Sequence, residues 1–357
     1  MDKKERRELL KRKEQKGLTV VADNDEAAIN HASRSRFWKR LLILFLLVLL
    51  VAGAGLYISV SSRSYNAYEV IASYEIEDVT SMEYLAYGDN YIKYSKDGVS
   101  YVDRNNHTVW MESYAMKMPR AVVAGDYIAI ADFNGNQVYL FGREGKLNQT
   151  TTQYTIIDVD VALQGVFAVV LESDTGNLIL TYDKNGKKIS ENFTTAESSG
   201  YPLDIALSAD GQKLVTSYVC FDGVAMKNQL GTYNFGSVGQ NENADRFMGG
   251  FDLEDTLVSK VVFFGEHTIC AFGDNQLLFY SMKEKPSELT KVALNSEIKS
   301  IFYNTAYVGI VYEKENAQKL HQYEMKAYNA SGREVVSLDI DIPYKHIRAT
   351  ENRIIVS

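Results

Sequence analysis

From about residue 80 onward the sequence repeats itself, and short turns recur at intervals running from the high thirties to the mid fifties. They are Gly88-Asp89-Asn90, Gly125-Asp126-Tyr127, Gln164-Gly165-Val166, Asp210-Gly211-Gln212, Gly265-Glu266-His267, Asn304-Thr305-Ala306 and Glu351-Asn352-Arg353. Such a period is close to the ~40 to 50 residues of a four-stranded propeller blade. Apolar runs flank the turns, as where Ala121-Val122-Val123-Ala124 precedes Tyr127-Ile128-Ala129-Ile130. This pattern predicts tight hairpins joining the two inner strands of each blade.

A second unit follows at a steady offset. Val99–Val102, Gln137–Phe141, Leu178–Tyr182, Leu277–Tyr280 and Tyr323–Tyr328 are short runs rich in aromatic and branched residues. Most lead into a second turn: Asp103–Asn106, Gly142–Lys146, Asp183–Lys187 and Asn329–Arg333. Asp or Asn opening a turn and Gly closing it supplies local hydrogen bonds and a positive φ. Pro119, Pro202 and Pro343 each precede the first strand of a repeat, and Pro286 falls between a third and a fourth strand, so none interrupts a ladder. With 24 Tyr and 15 Phe but only 4 Pro, the composition also favours strands.

The expected fold is therefore all-β, a β-propeller-like domain of about six to seven four-stranded blades. Six full repeats lie between roughly residues 80 and 340, followed by the first two strands of a seventh. Either residues 68–78 supply a closing strand, so that the two ends share a blade, or the ring is incomplete. A six-bladed or non-closed arrangement is a further option. A pair of β-sandwiches would accommodate the same strands without explaining their period.

Ahead of the repeats, Leu41 to Val60 contains no charged residue. A helix of ~20 such residues matches a bilayer's hydrocarbon thickness, and Trp38, Lys39, Arg40 and Tyr57 stand where interfacial anchors belong. A buried core helix is the bland alternative, but the run has no polar face. Residues 1–40 hold twelve Lys/Arg against seven Asp/Glu, and the rest of the chain twenty-six against thirty-nine. The positive-inside rule then keeps the tail in the cytoplasm and sends the acidic bulk across. Ala52-Gly53-Ala54 offers small residues for signal cleavage, yet the long basic region and long apolar stretch favour a signal anchor. The expected organisation is a basic cytoplasmic tail (1–40), a transmembrane signal-anchor helix (41–60), a juxtamembrane linker with a closing strand (61–79) and a propeller-like extracellular domain (80–357). The basic tail could touch anionic lipid, but a solvated topology signal is the expected reading.

The longest departure from the period falls in the fourth repeat, between Cys220 and Thr256. Here Leu207–Tyr218, Tyr233-Asn234-Phe235-Gly236, Val238–Asn241 and Gly249-Gly250-Phe251 resemble domain of unknown function 5711. That resemblance implies an N-terminal anchor and a propeller-like exterior domain in a Gram-positive anaerobe of the clostridial kind. It implies no activity and no catalytic residue. Tyr233, Phe235, Gln240, Asn241, Arg246, Phe247 and Phe251 form the candidate binding loop, since functional variation concentrates in loops. For Phe235, Phe247 and Phe251, packing between blades or plugging a central channel is slightly favoured over binding, because large aromatics more often bury than bind.

Signatures of catalysis are missing from the sequence. There is no Gly-x-Ser-x-Gly elbow, phosphate-cradling Gly-rich loop with Lys, or His-Glu-x-x-His pair, and His31, His107, His267, His321 and His346 are scattered. Asp132-Phe133-Asn134-Gly135-Asn136 begins like a calcium loop but lacks the later acidic ligands, so a hairpin turn is expected. Asp158 and Asp160 share one face of a strand; a solvated edge is expected in preference to acid–base equipment. Asp103 to Trp110 weakly echoes the turn-then-tryptophan corner of quinone-cofactor propellers, and later repeats lack the tryptophan. Cys220 and Cys270 fall in second strands of neighbouring repeats, too far apart for a bridge, so two buried free thiols are expected.

No metal, cofactor or nucleic-acid partner is expected. The functional expectation is a non-enzymatic, single-pass envelope protein whose exterior domain binds or scaffolds a protein, peptide or glycan. The alternatives are a sensor or assembly subunit coupled to a cytoplasmic partner, and a hydrolase or lyase acting on wall carbohydrate. The last requires two carboxylates at a separation suited to glycoside chemistry.

Overall fold

The computed structural model describes Glu8, residues 40–55 and residues 82–357 apart from 198, 224, 243–244, 254, 315–322, 341–343, 345–346, 350–353 and 357. The chain divides into two units, Met1–Glu75 and Ile76–Ser357. In the first, α1 spans residues 40–55. A run of Leu, Ile, Val and Phe forms a helix because all backbone groups are then paired within the segment. The eleven apolar side chains from Leu41 to Val51 are each 45–72% exposed. Among the described residues no helix is long and apolar enough to cross a membrane; residues 56–60 of the expected span lie outside them, as do the expected closing strand at 68–78 and Pro343.

The second unit is built from antiparallel meanders. Blade one comprises β1 (Glu83–Tyr87), β2 (Asn90–Tyr94), β3 (Gly98–Val102) and β4 (Thr108–Ser113). Blade two comprises β5 (Pro119–Ala124), β6 (Tyr127–Asp132), β7 (Gln137–Gly142) and β8 (Gly145–Thr151). In blade three are β9 (Thr155–Val161), β10 (Phe167–Ser173), β11 (Gly176–Tyr182) and β12 (Lys188–Thr194). Blade four holds β13 (Tyr201–Leu207), β14 (Lys213–Asp222), β15 (Ala225–Asn234) and β16 (Phe247–Leu253), with the short helix α2 (Ser237–Glu242) between the last two strands. Blade five holds β17 (Val258–Phe264), β18 (Thr268–Gly273), β19 (Gln276–Met282) and β20 (Pro286–Ala293). Blade six holds β21 (Ile298–Tyr303), β22 (Val308–Glu313), β23 (Tyr323–Tyr328) and β24 (Glu334–Ile340). A seventh sheet shows two described strands, β25 (Ile347–Ala349) and β26 (Ile354–Val356).

First strands of successive sheets lie side by side, β1 against β5, β5 against β9, β9 against β13, β13 against β17 and β21 against β25. The sheets thus radiate from an axis that these strands surround. Core side chains fill the spaces between consecutive sheets, for example Ile128, Ile130 and Phe141 of blade two against Ile92 and Tyr101 of blade one. Six such clusters follow one another from blade one to the seventh sheet. Covering both faces explains why second and third strands read as unbroken apolar runs, such as Phe167–Leu171, while outer strands such as β4 alternate. The Arg348 side chain of β25 acts electrostatically on the Tyr94 hydroxyl of β2, which brings the last sheet back to the first.

All six four-stranded sheets carry a bulge in the fourth strand, where Val109, Leu147, Ile189, Met248, Leu289 and Val335 are the extra residues opposite the third-strand steps at which the register shifts. The shifts fall at Tyr101/Val102, Leu140/Phe141, Thr181/Tyr182, Thr232/Tyr233, Phe279/Tyr280 and Ala327/Tyr328. A bulge increases local twist and turns the outer strand around its neighbour. Three of the turns that follow the third strands, in blades one, three and six, also repeat atom for atom. Asp103 Oδ1 accepts from the N–H groups of Asn105 and His107, Asp183 Oδ1 from Asn185 and Lys187, and Asn329 Oδ1 from Ser331 and Arg333. These bonds hold Asp103 below the usual carboxylate range, the His107 amide foremost.

Because each sheet is a meander, its connections alternate between two rims. β1 begins on the first rim, which also carries the turns between second and third strands and the links between blades. The second rim carries the turns between first and second and between third and fourth strands, so α2 stands on the rim opposite to the start of β1.

Candidate functional site

Blade four and the axis beside it hold the unusual chemistry. In an isolated meander the first strand leaves a row of N–H groups unpaired on its axial edge. Here the preceding blade supplies the acceptors. Asp158 Oδ2 on β9 accepts from Ile205 N–H at 3.1 Å, and Asp160 Oδ2 from Leu207 N–H at 2.7 Å. Asp204 on β13 repeats the device one blade on, its Oδ2 accepting from Val261 N–H at 2.8 Å while Oδ1 accepts from Lys260 Nζ at 2.7 Å. Three carboxylates therefore share one ammonium, with the Tyr303 phenol of β21 feeling all four charges.

Burial disfavours charge on these carboxylates. It raises Asp158 to about 7, helped by the Asp204 charge and opposed by Lys260. Burial likewise lifts Asp160 to about 6 against the Leu207 amide and Lys260, and raises Asp204 despite its contact with Lys260. For Lys260 burial acts the other way, but the Asp204 charge prevails and keeps the ammonium protonated. Asp158 and Asp160 are both half-buried. The solvated edge expected for them is corrected: their i, i+2 spacing serves to reach alternate axial amides of the next blade. Lys260 and Asp204 were missed by sequence reasoning, although a signal existed. Asp204 precedes Gly211 by the same seven residues that separate Asp158 from Gly165, and Lys260 precedes Gly265 by the five that separate Asp160 from Gly165.

Of the seven candidate binding-loop residues, Tyr233, Phe247 and Phe251 lie in strands, Gln240 and Asn241 on α2, and Phe235 and Arg246 in the connections. Tyr233, next to last in β15, is 5% exposed, its hydroxyl 2.8 Å from that of Tyr218. Phe235 is buried between blades three and four. Phe251 on β16 stacks on Tyr280 of blade five, centroids 4.2 Å apart, and Phe247 meets Tyr233 edge-on at 5.5 Å. Gln240 and Asn241 lie on α2 with exposed side chains, and Gln240 Nε2 donates to Phe235 O at 3.0 Å. Arg246 follows with φ 64°, and its carbonyl accepts from Asn234 N–H. The aromatic four thus form a base packed among blades three, four and five, Gln240 and Asn241 form a polar crest on α2, and Arg246 leads from α2 back into β16.

Neighbouring blades lace this base in place. Asn192 Nδ2 of blade three donates to Asp245 O at 2.6 Å, and the buried Asn234 Nδ2 reaches Glu284 Oε2 of blade five at 3.2 Å. Glycine is required inside the sheet: a Cβ on Gly250 would sit 2.0 Å from Leu230 O, and one on Gly231, directly opposite, 2.8 Å from the Tyr218 ring.

The other sequence candidates occupy ordinary structural places. Asp132 opens the β6–β7 turn and accepts from the Lys117 and Met118 N–H groups at 2.7 and 2.9 Å. Trp110 stacks on Phe141 at 5.3 Å and donates to Arg143 O, locking blade one to blade two. Both thiols are free; Cys270 is buried, but Cys220 is only half-buried, because β14 continues past the core.

Sheets of this number and order define a β-propeller-like protein. The chain belongs to the DUF5711 family, a family of unknown function, whose pattern matches residues 61–357. Among curated proteins none matches. Among solved structures, the complex of KlAtg21 with the coiled coil of AgAtg16 is similar at 12% identity over 71% of this chain and 82% of that one, with a TM-score of 0.51. The tricorn protease is similar at 11% identity over 79% of this chain and 33% of that one, with a TM-score of 0.51. Hydrazine synthase of Kuenenia stuttgartiensis aligns at 12% identity over 74% and 80%, with a TM-score of 0.48. At such identities the likeness concerns fold alone.

Proposed function

We propose that this protein is a membrane-anchored binding scaffold of the cell envelope. The tail of residues 1–40 lies in the cytoplasm, α1 belongs to a single transmembrane anchor, and the propeller stands outside the cell and holds a protein, peptide or glycan partner. The observation that carries the binding role is the polar crest of α2, raised on the second rim over a base that blades three and five hold rigid. A rigid base lowers the ordering cost of binding. The exposed apolar side chains of α1 support the anchor, since water is a poor solvent for such a row. Residues 1–40 lack a recognisable domain, which favours the scaffold over a sensor or assembly subunit acting on a cytoplasmic partner.

A pull-down from native membranes tests this reading. Deleting residues 233–251 would remove most of β16 and damage the blade, so a surface change is needed. Ser237 and Asn241 are exposed on α2, and the double substitution Ser237→Arg and Asn241→Arg should abolish capture of one reproducible partner while leaving the melting temperature unchanged. Identical partner lists from both proteins would refute a role for α2.

The axial carboxylates favour one second reading, acid–base chemistry on wall carbohydrate, because Asp158 and Asp160 are raised toward neutral pH. Their hydrogen bonds to Ile205 and Leu207 give them a structural task already. Glycan-cleaving activity lost in both Asp158→Asn and Asp160→Asn proteins of unchanged stability would establish this reading instead.

A further inference from the structure

The β14–β15 hairpin outreaches its counterparts. Its strands run ten residues each, whereas second and third strands elsewhere run five to seven. Pairing continues in register through Cys220↔Lys227 and Phe221↔Met226 to Asp222↔Ala225. Core packing stops sooner, with Tyr218 and Leu230 the last members that these strands contribute toward the tip. Three further residues per strand carry the tip roughly 10 Å outward at ~3.4 Å each. Phe221 and Met226, opposite each other, are 60% and 57% exposed.

The tip projects from the first rim, on which β1 also begins. Met118 and Tyr154, in the links that enter blades two and three, are exposed on that rim too, as is Leu203 near the start of β13. The interfacial layer offers hydrogen-bond partners to the open edges of such a ribbon, and an aromatic residue beside a flexible Met suits its mixed packing.

We propose that Phe221 and Met226 enter the interfacial layer of the bilayer that anchors the chain. This inference rests on the reading of α1 as part of a membrane anchor. It assigns the first rim to lipid and leaves α2, on the second rim, facing away.

The test uses the full chain in phosphatidylcholine–phosphatidylglycerol vesicles with acyl chains brominated near the glycerol. All proteins carry Trp38→Phe, leaving Trp110 as a fixed background. Phe221→Trp should lose about half of its added emission to the brominated lipid. Leu163→Trp, at an exposed position in the β9–β10 turn on the second rim, should lose essentially none. If Phe221→Trp lowers the melting temperature, Met226→Trp takes its place and the same loss is expected. Resistance to alkaline carbonate extraction is measured in parallel. Extraction-resistant protein with no quenching at 221 or 226 overturns the inference and leaves the anchor standing. Protein released by carbonate overturns both.

Discussion

The Lys260 ammonium lies 2.7 Å from Asp204 Oδ1 and ties the first strand of blade five to that of blade four. It is also the counter-charge that three axial carboxylates share. Lys260→Met should therefore cost about 2–3 kcal/mol, below the usual range for a fully buried pair because a third of the lysine side chain is open. The double change Lys260→Met with Asp204→Asn should cost less than Lys260→Met alone. Urea unfolding of the three proteins measures both.

Stability should rise on mild acidification. Asp158 and Asp160 have folded-state values of about 7 and about 6. An aspartate raised on folding binds more protons folded than unfolded between its two values, so it contributes stability below about pH 4 that is lost as pH climbs through its folded value. Asp103, Asp210 and Glu324 are lowered and titrate below this window. The melting temperature should be higher at pH 5.5 than at pH 8, and Asp160→Asn should flatten that difference.

Gly250 has no room for a side chain, since the nearest atom, Leu230 O, is backbone. Gly250→Ala should destabilise by about 1–3 kcal/mol through displacement of β16 from β15. Gly53→Ala, at a position with open space, should change nothing in the same thermal melt.

Asn234 is buried, and its Nδ2 bonds Glu284 while its Oδ1 accepts from Gly236 N–H. Asn234→Leu should cost about 1–3 kcal/mol by leaving these groups unpaired. Hydrogen exchange should show faster exchange across residues 235–241 with blades one and two unchanged.

The blade plan was legible because its turns are local. Gly125 and Gly211 need positive φ, and Asp183 makes the bonds its type favours within four residues. Each of the six first turns from Gly88 to Asn304 lies where the period put it, between a first and a second strand. The candidate site was harder to read. Tyr233, Phe247 and Phe251 looked like loop residues because a strand pair broken by a six-residue helix has no continuous alternation to betray it. Whether an aspartate such as Asp158 meets water or another blade depends on contacts 47 residues away in sequence. Composition alone carries no trace of that distance.

The binding claim is tested most directly by photocrosslinking on whole cells, with p-benzoylphenylalanine at position 241 on α2. The control is position 144, in the exposed β7–β8 turn on the same rim. A discrete adduct from 241 and none from 144 is the expected result. Equal labelling at the two positions, or none at 241, would contradict a partner held by blade four.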